Sequence, residues 1–247
     1  MIKGLLGILV LVLAVGCGGS SSEKEHAAEI YTLTQRVQQA TDAADSHRFR
    51  ASWEVGIPEQ EATETLESGQ VTTEGEFAAP HRVHLRHLAL DPDLLPVPYE
   101  VLYDGNRVFL KVTEEATWEE STGAIALGLS ALLAGPALGE VLQWMLTLRD
   151  VEFLPGESVD GVESVHLRGS VRSRGLFDRP MSVEHEGMLE LWIGEDDDLI
   201  RRALYEVTTV RALAPGTGSS SFESEQSADV YFYDYGADIA IDAPVLE

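Results

Sequence analysis

Apolar and polar residues alternate along most of this chain, the period-two pattern of strands buried on one face. Phe49, Ala51, Trp53, Val55 and Ile57 interleave with Arg48, Arg50, Ser52 and Glu54. Val71, Thr73, Gly75 and Phe77 fall in phase in a second segment, and Val83 and Leu85 mark a third beyond Pro80. Tyr99 to Tyr103 and Val108 to Val112 flank Asp104-Gly105, a dipeptide suited to the left-handed positions of a tight hairpin. Strand patterning resumes at Val151 to Leu154 and at Glu157 to Val171, the latter carrying the Asp160-Gly161 turn. It continues through Met181 to Ile193, Leu199 to Val210, Phe222 to Gly236 and a short terminal strand, Ile239 to Ile241. Leu189, Leu191 and Ile193 share one face of their strand and Trp192 takes the other.

Two stretches break the alternation. His26 to Ser46 repeats its apolar residues at helical spacing, with Ala28, Tyr31, Val37, Ala40 and Ala44 near one face. Ala124 to Leu148 is apolar throughout, with Glu140 as its only charge. Pro136 cannot donate a backbone hydrogen bond and Gly135 weakens the turn before it, so this insert reads as two short helices, Ala124 to Ala134 and Ala137 to Thr147. Consecutive hairpins imply one large antiparallel sheet, and a sheet of that size curls. The expected class is mainly β (α+β): a curved half-barrel whose concave face is covered by the N-terminal helix and the insert. Two roles fit the insert. It can plug the core of the sheet, or it can be a movable lid over an apolar cavity. In the second role Leu129, Leu132, Leu133, Leu138, Val141, Leu142 and Met145 join Trp53 and Phe77 as cavity or lid residues, and Gly135-Pro136 is the hinge.

The first residues have a separate logic. Lys3, the apolar run Gly4 to Val15 and the small residue Gly16 form the pattern of a secretory signal, and the run is shorter than the ~20 residues of an ordinary membrane span. Leu13-Ala14-Val15-Gly16-Cys17 resembles the bacterial lipobox, with leucine one place further back than usual. The organisation expected is a signal peptide over 1–16, a lipidated Cys17 with a flexible tether to residue 25, and one domain over 26–247. Diacylglyceryl transfer to the Cys17 thiol, with cleavage before Cys17 to free its amine, would give a stable two-chain anchor, since each buried CH₂ contributes ~0.8 kcal/mol. The protein is then a membrane-anchored lipoprotein on the extracytoplasmic side, at the cell surface or the periplasmic face.

Charge narrows the partners. A net charge of −25 over 247 residues, with no dense cluster of Lys and Arg, argues against nucleic acid. One cysteine excludes a disulfide framework and thiolate metal sites. His81, His84 and His87 do not converge on a metal if they lie on a strand, because a spacing of three alternates faces. Glu195 to Asp198 reads as a solvated acidic turn. No G-x-S-x-G, P-loop or H-E-x-x-H motif is present, so no catalytic residue, metal or cofactor is assigned.

In this order the segments resemble the LolA/LolB-like lipoprotein carriers and, within them, the LppX/LprG-type lipoproteins. The resemblance spans about Ile30 to Val245. It rests on Phe49 to Trp53, Gly69 to Phe77, the hairpin Tyr103 to Leu110 followed by Trp118, and Asp160 to Gly169. Leu191 to Gly194 with Leu199 to Arg202, and the tail Asp234 to Pro244, complete it. The resemblance implies a half-open β-barrel of about eleven strands closed by helices. It also implies a non-catalytic protein that binds acylated lipids and transfers them within the envelope, to or from an export or acceptor protein. The alternative is an envelope sensor or adaptor that binds a protein partner through the insert. The acidic Pro58 to Glu67 loop departs from the family pattern, and the negative surface would repel anionic headgroups.

Overall fold

The computed structural model describes residues 21–56, 69–80, 82–89, 99–105, 107–121, 138–175, 181–213 and 221–246. Helix α1 (Ser21–Ala44) is followed by β1 (Ser46–Gly56), β2 (Gly69–Ala78), β3 (Arg82–Ala89), β4 (Glu100–Tyr103), β5 (Val108–Lys111) and β6 (Glu119–Ser121). Helix α2 (Leu138–Thr147) then leads into β7 (Leu148–Val159), β8 (Val162–Gly175), β9 (Met181–Gly194), β10 (Ile200–Leu213) and β11 (Ser221–Tyr233).

The strands form one curved, open antiparallel sheet of eleven, in the order β6-β5-β4-β3-β2-β1-β11-β10-β9-β8-β7. All neighbours but one are consecutive in sequence. The exception is β1 with β11, paired from Arg48↔Tyr233 to Gly56↔Glu225. Two meanders are therefore zipped together by the first and last strands. The two free edges of the sheet are β6 and β7, and they are consecutive strands. The segment 122–147, which contains α2, is the covalent link between those edges.

The turns follow local chemistry. Asp160 (φ 50°) and Gly161 (φ 83°) close the β7–β8 hairpin between Val159 and Val162, both in the left-handed conformation such a two-residue loop requires. Asp104 holds the β4–β5 turn by accepting the Arg107 backbone N–H at 3.0 Å.

Three boundaries differ from the sequence reading. Helix α1 begins at Ser21, so part of the stretch expected as a tether is helical. Glu23 and Glu25 are good helix formers and lie where the helix dipole favours negative charge. Strand β7 is long and irregular, with register shifts between Arg149 and Glu152 and between Leu154 and Glu157, which hide its period-two signal. Ile239 to Ile241 is not a strand. That tail instead lies against the outer face of the sheet. Ser46 Oγ donates to the Ala237 carbonyl at 2.6 Å, Arg82 donates to the Ile241 carbonyl at 3.2 Å, and Ile241 packs with Leu102 and Phe109. The first expected helix of the insert lies outside the described residues.

The main core lies on the concave side. Phe49, Ala51 and Trp53 of β1 join Val71, Leu85, Leu167, Leu189, Leu191, Ala203, Val207, Val230 and Phe232 from their neighbours. Leu33 and Val37 of α1 and five residues of α2 complete this cluster. Burial of apolar surface at ~25 cal/mol per Å² drives this packing.

The concave face as a candidate lipid-binding site

The two faces of the sheet differ in kind. On the convex side one rung crosses the sheet in register: His166, Trp192, Arg202, Tyr231, Arg50, Glu74, Arg86, Glu100 and Lys111. His166 stacks on Trp192 with ring centres 4.2 Å apart, and the Arg202 guanidinium covers Trp192 at 4.5 Å. Arg202 also makes a two-pronged pair with Asp229 at 2.7 and 2.8 Å. Glu190 accepts from Arg168 and lies 3.0 Å from His166. Burial alone would raise the Glu190 carboxyl, but its bonds to Arg168 and His166 outweigh that and hold it below the usual range. The depression on this side, about 220 Å³, is lined by charged groups including Arg48, Glu76 and Arg86. Such a face is built for water.

The concave face is apolar by the same alternation. Helix α2 lies against β8 and α1, and its Leu138, Val141, Leu142, Trp144 and Met145 are buried. The Trp144 ring meets Tyr205 of β10 edge-on at 4.8 Å. A cleft of about 390 Å³ opens between α1 and the β7–β8 side, lined by Ala28, Glu29, Thr32, Leu33, Arg36, Phe153 and Val165. That volume is in the range of small-molecule sites. Arg36 at the cleft is paired with Asp198 at 2.9 Å.

The residues expected at a cavity or lid divide as follows. Trp53 is buried on β1, and Leu138, Val141, Leu142 and Met145 join it in one apolar cluster. Phe77 is half-buried and stacks on His47 at 5.1 Å, in an aromatic group that includes Phe49, Phe232 and Tyr235. Burial lowers the His47 pKa to about 4. Leu129, Leu132, Leu133, Gly135, Pro136 and Cys17 lie outside the described residues, as does His81. His84 and His87 fall on opposite faces: His84 bonds Glu100 at 2.9 Å, while His87 is buried on the concave side.

Sequence reasoning overlooked a polar chain within this face. Trp53 Nε1–H donates to Thr73 Oγ1 at 3.0 Å, and Thr73 Oγ1 lies 2.8 Å from His87 Nδ1. Thr73 is 0% exposed and His87 1%. In the sequence, the signal was a threonine and a histidine at positions in phase with apolar neighbours.

No family model matches the sequence, and no curated protein matches it. Among solved structures, LprF from Mycobacterium bovis superposes with a TM-score of 0.53 at 14% identity, over 88% of this chain and 97% of that one. The chain shares the fold of LprF. LppX from Mycobacterium tuberculosis matches with a TM-score of 0.44 at 13% identity, over 87% of this chain and 99% of that one. A LolA superfamily protein from Nitrosomonas europaea matches at 0.34 and 10% identity, over 85% and 94%. Among the described residues no helix is long and apolar enough to cross a membrane.

Proposed function

We propose that this chain is a non-catalytic cell-envelope lipoprotein that binds acylated lipids against its concave face and carries them between membrane or protein partners. The observation that carries this reading is the asymmetry of the sheet. Its convex face is a network of paired charges and cation–aromatic contacts, whereas its concave face is apolar and covered by helices. Acyl chains bind by burial and dispersion and need such a surface. Helix α2 packs on the concave face and belongs to no strand pair, so its displacement would open that face without breaking the sheet. In this reading Leu129, Leu132, Leu133, Leu138, Val141, Leu142 and Met145 form the lid, Trp53 and Phe77 belong to the wall, and Gly135-Pro136 is the hinge. Residues 1–16 are a signal peptide and Cys17 is the lipidated anchor, holding the domain on the extracytoplasmic side.

The test is native mass spectrometry of the soluble chain lacking residues 1–17, delipidated and then exposed to vesicles of diacyl phospholipid. Bound lipid, at one or a few molecules per chain, is expected. A chain that emerges lipid-free at all vesicle concentrations refutes the reading.

A further inference from the structure

The buried chain Trp53–Thr73–His87 ends on an atom that bonds nothing among the described residues. His87 Nε2 is buried and has no hydrogen-bond partner among the described residues. A buried polar group without a partner is destabilising, so such atoms are uncommon unless something else satisfies them.

The protonation of this atom follows from its neighbours. Thr73 Oγ1 accepts from Trp53 Nε1–H, which has no other role than donor. The Thr73 hydroxyl still has its own proton to place, and His87 Nδ1 is 2.8 Å away. Donation from Thr73 O–H to His87 Nδ1 gives the indole N–H, the hydroxyl and Nδ1 a partner each. It leaves Nδ1 without a proton and puts the imidazole proton on Nε2. The free end of the chain is then a neutral N–H donor. Burial holds His87 neutral near pH 7, with its pKa lowered to about 4.

The backbone supports this placement. Thr73 and His87 are direct partners across β2 and β3, and the register breaks immediately beyond them, with Thr72 paired to Ala89. Leu88 is thus the extra residue of a β-bulge, and it is exposed. Bulges of this kind re-aim side chains and occur next to binding sites. The His87 backbone N–H donates to the Tyr99 carbonyl at 3.0 Å, which fixes β3 at this point.

We propose that His87 Nε2–H is the polar anchor of the concave face, donating a hydrogen bond to the carbonyl oxygen of an esterified or amidated acyl chain. This rests on the lipid-carrier reading and adds the side chain that holds the acyl carbonyl. A neutral donor amid apolar residues matches a neutral acceptor. A free carboxylate would be desolvated there without a compensating positive charge. A pure hydrocarbon would leave the donor unpaired.

The test compares two lipids that differ only in the carbonyl, dipalmitoyl phosphatidylcholine and its dihexadecyl ether analogue, with the soluble chain lacking residues 1–17. The ester is expected to bind about tenfold more tightly than the ether, the factor expected when a buried donor is left unpaired. In His87→Phe the ether should bind as before and the preference should vanish. Nitrogen-detected histidine spectra of the unmodified chain give a second readout that requires no variant. His87 protonated on Nε2 is expected, and protonation on Nδ1 overturns the donor assignment. Equal binding of ester and ether by the unmodified chain overturns the inference and leaves the lipid-carrier reading standing. Binding of neither lipid removes both.

Discussion

Phe49 occupies the space that a side chain at Gly75 would need. The two residues are partners across β1 and β2, and a Cβ at Gly75 would lie 2.2 Å from Phe49 Cζ. The ring therefore leans over its cross-strand neighbour and reaches Leu85 territory on β3, where the same Cβ would meet Leu85 at 2.9 Å. Gly75→Ala should destabilise the domain by about 1–3 kcal/mol, the usual cost of overpacking. Adding Phe49→Leu should recover part of that loss, because the clash is with a side chain. Urea unfolding of the single and double variants measures both, and additive losses would contradict the relationship.

Gly187 poses a harder constraint. A Cβ there would lie 2.0 Å from the Glu206 carbonyl oxygen and 2.7 Å from Val207 Cα, both backbone atoms of the partner strand β10. No rotamer change relieves that contact, so the strands must part. Gly187→Ala is expected to cost more than Gly75→Ala and to resist rescue by truncating side chains nearby. Thermal unfolding midpoints of the two alanine variants order them directly.

Trp192 ties the convex face together. It is buried between His166 and Arg202, and its Nε1–H donates to Glu157 at 3.1 Å. Trp192→Ala should cost about 3–5 kcal/mol, from cavity formation and loss of the stacked contacts. Since the site faces away from the concave side, lipid binding measured at a temperature where the variant is folded should be unchanged. Loss of binding in the folded variant would point to a ligand on the wrong face.

Acid should weaken the fold through its buried histidines. Burial lowers His47 and His87 to about 4, from about 6.5 in the unfolded chain. Between those values the unfolded state takes up protons that the native state refuses. Stability is therefore complete above the unfolded pKa and falls as the pH drops through it towards the folded one. Each histidine should account for about 2 kcal/mol between about pH 7 and about pH 5. His47→Phe, set among Phe49, Phe77 and Phe232, removes one share. Unfolding curves at the two pH values should then show a shallower loss than in the unmodified chain, and an identical loss would reject the assignment.

The hinge proposed at Gly135-Pro136 has its own signature. Pro136→Ala should change the rate of lipid uptake several-fold while shifting stability by less than about 1 kcal/mol. Stopped-flow uptake of a fluorescent diacyl lipid, set against thermal unfolding, separates the alternatives. A variant altered in stability but not in uptake would return the insert to the role of a core plug.

Local chemistry fixed much of this molecule in advance. The alternation of Phe49, Ala51 and Trp53 and of Leu189, Leu191 and Ile193 determines strands with one apolar face, because successive strand side chains must point to opposite sides. Asp160-Gly161 determines a hairpin because its two residues tolerate left-handed backbone. The run Leu138 to Thr147 is a helix with an apolar face, which Leu138, Val141, Leu142 and Met145 bury. Long-range pairing was decided elsewhere. That β1 pairs with β11, leaving β6 and β7 as the edges and excluding Ile239 to Ile241 from the sheet, depends on contacts between residues nearly two hundred positions apart. Strand pattern specifies which face is buried and carries no information about which neighbour is chosen. The same limit hid the polar chain. Trp53, Thr73 and His87 sit on three different strands, and only the register of β1, β2 and β3 brings the indole, the hydroxyl and the imidazole within bonding distance.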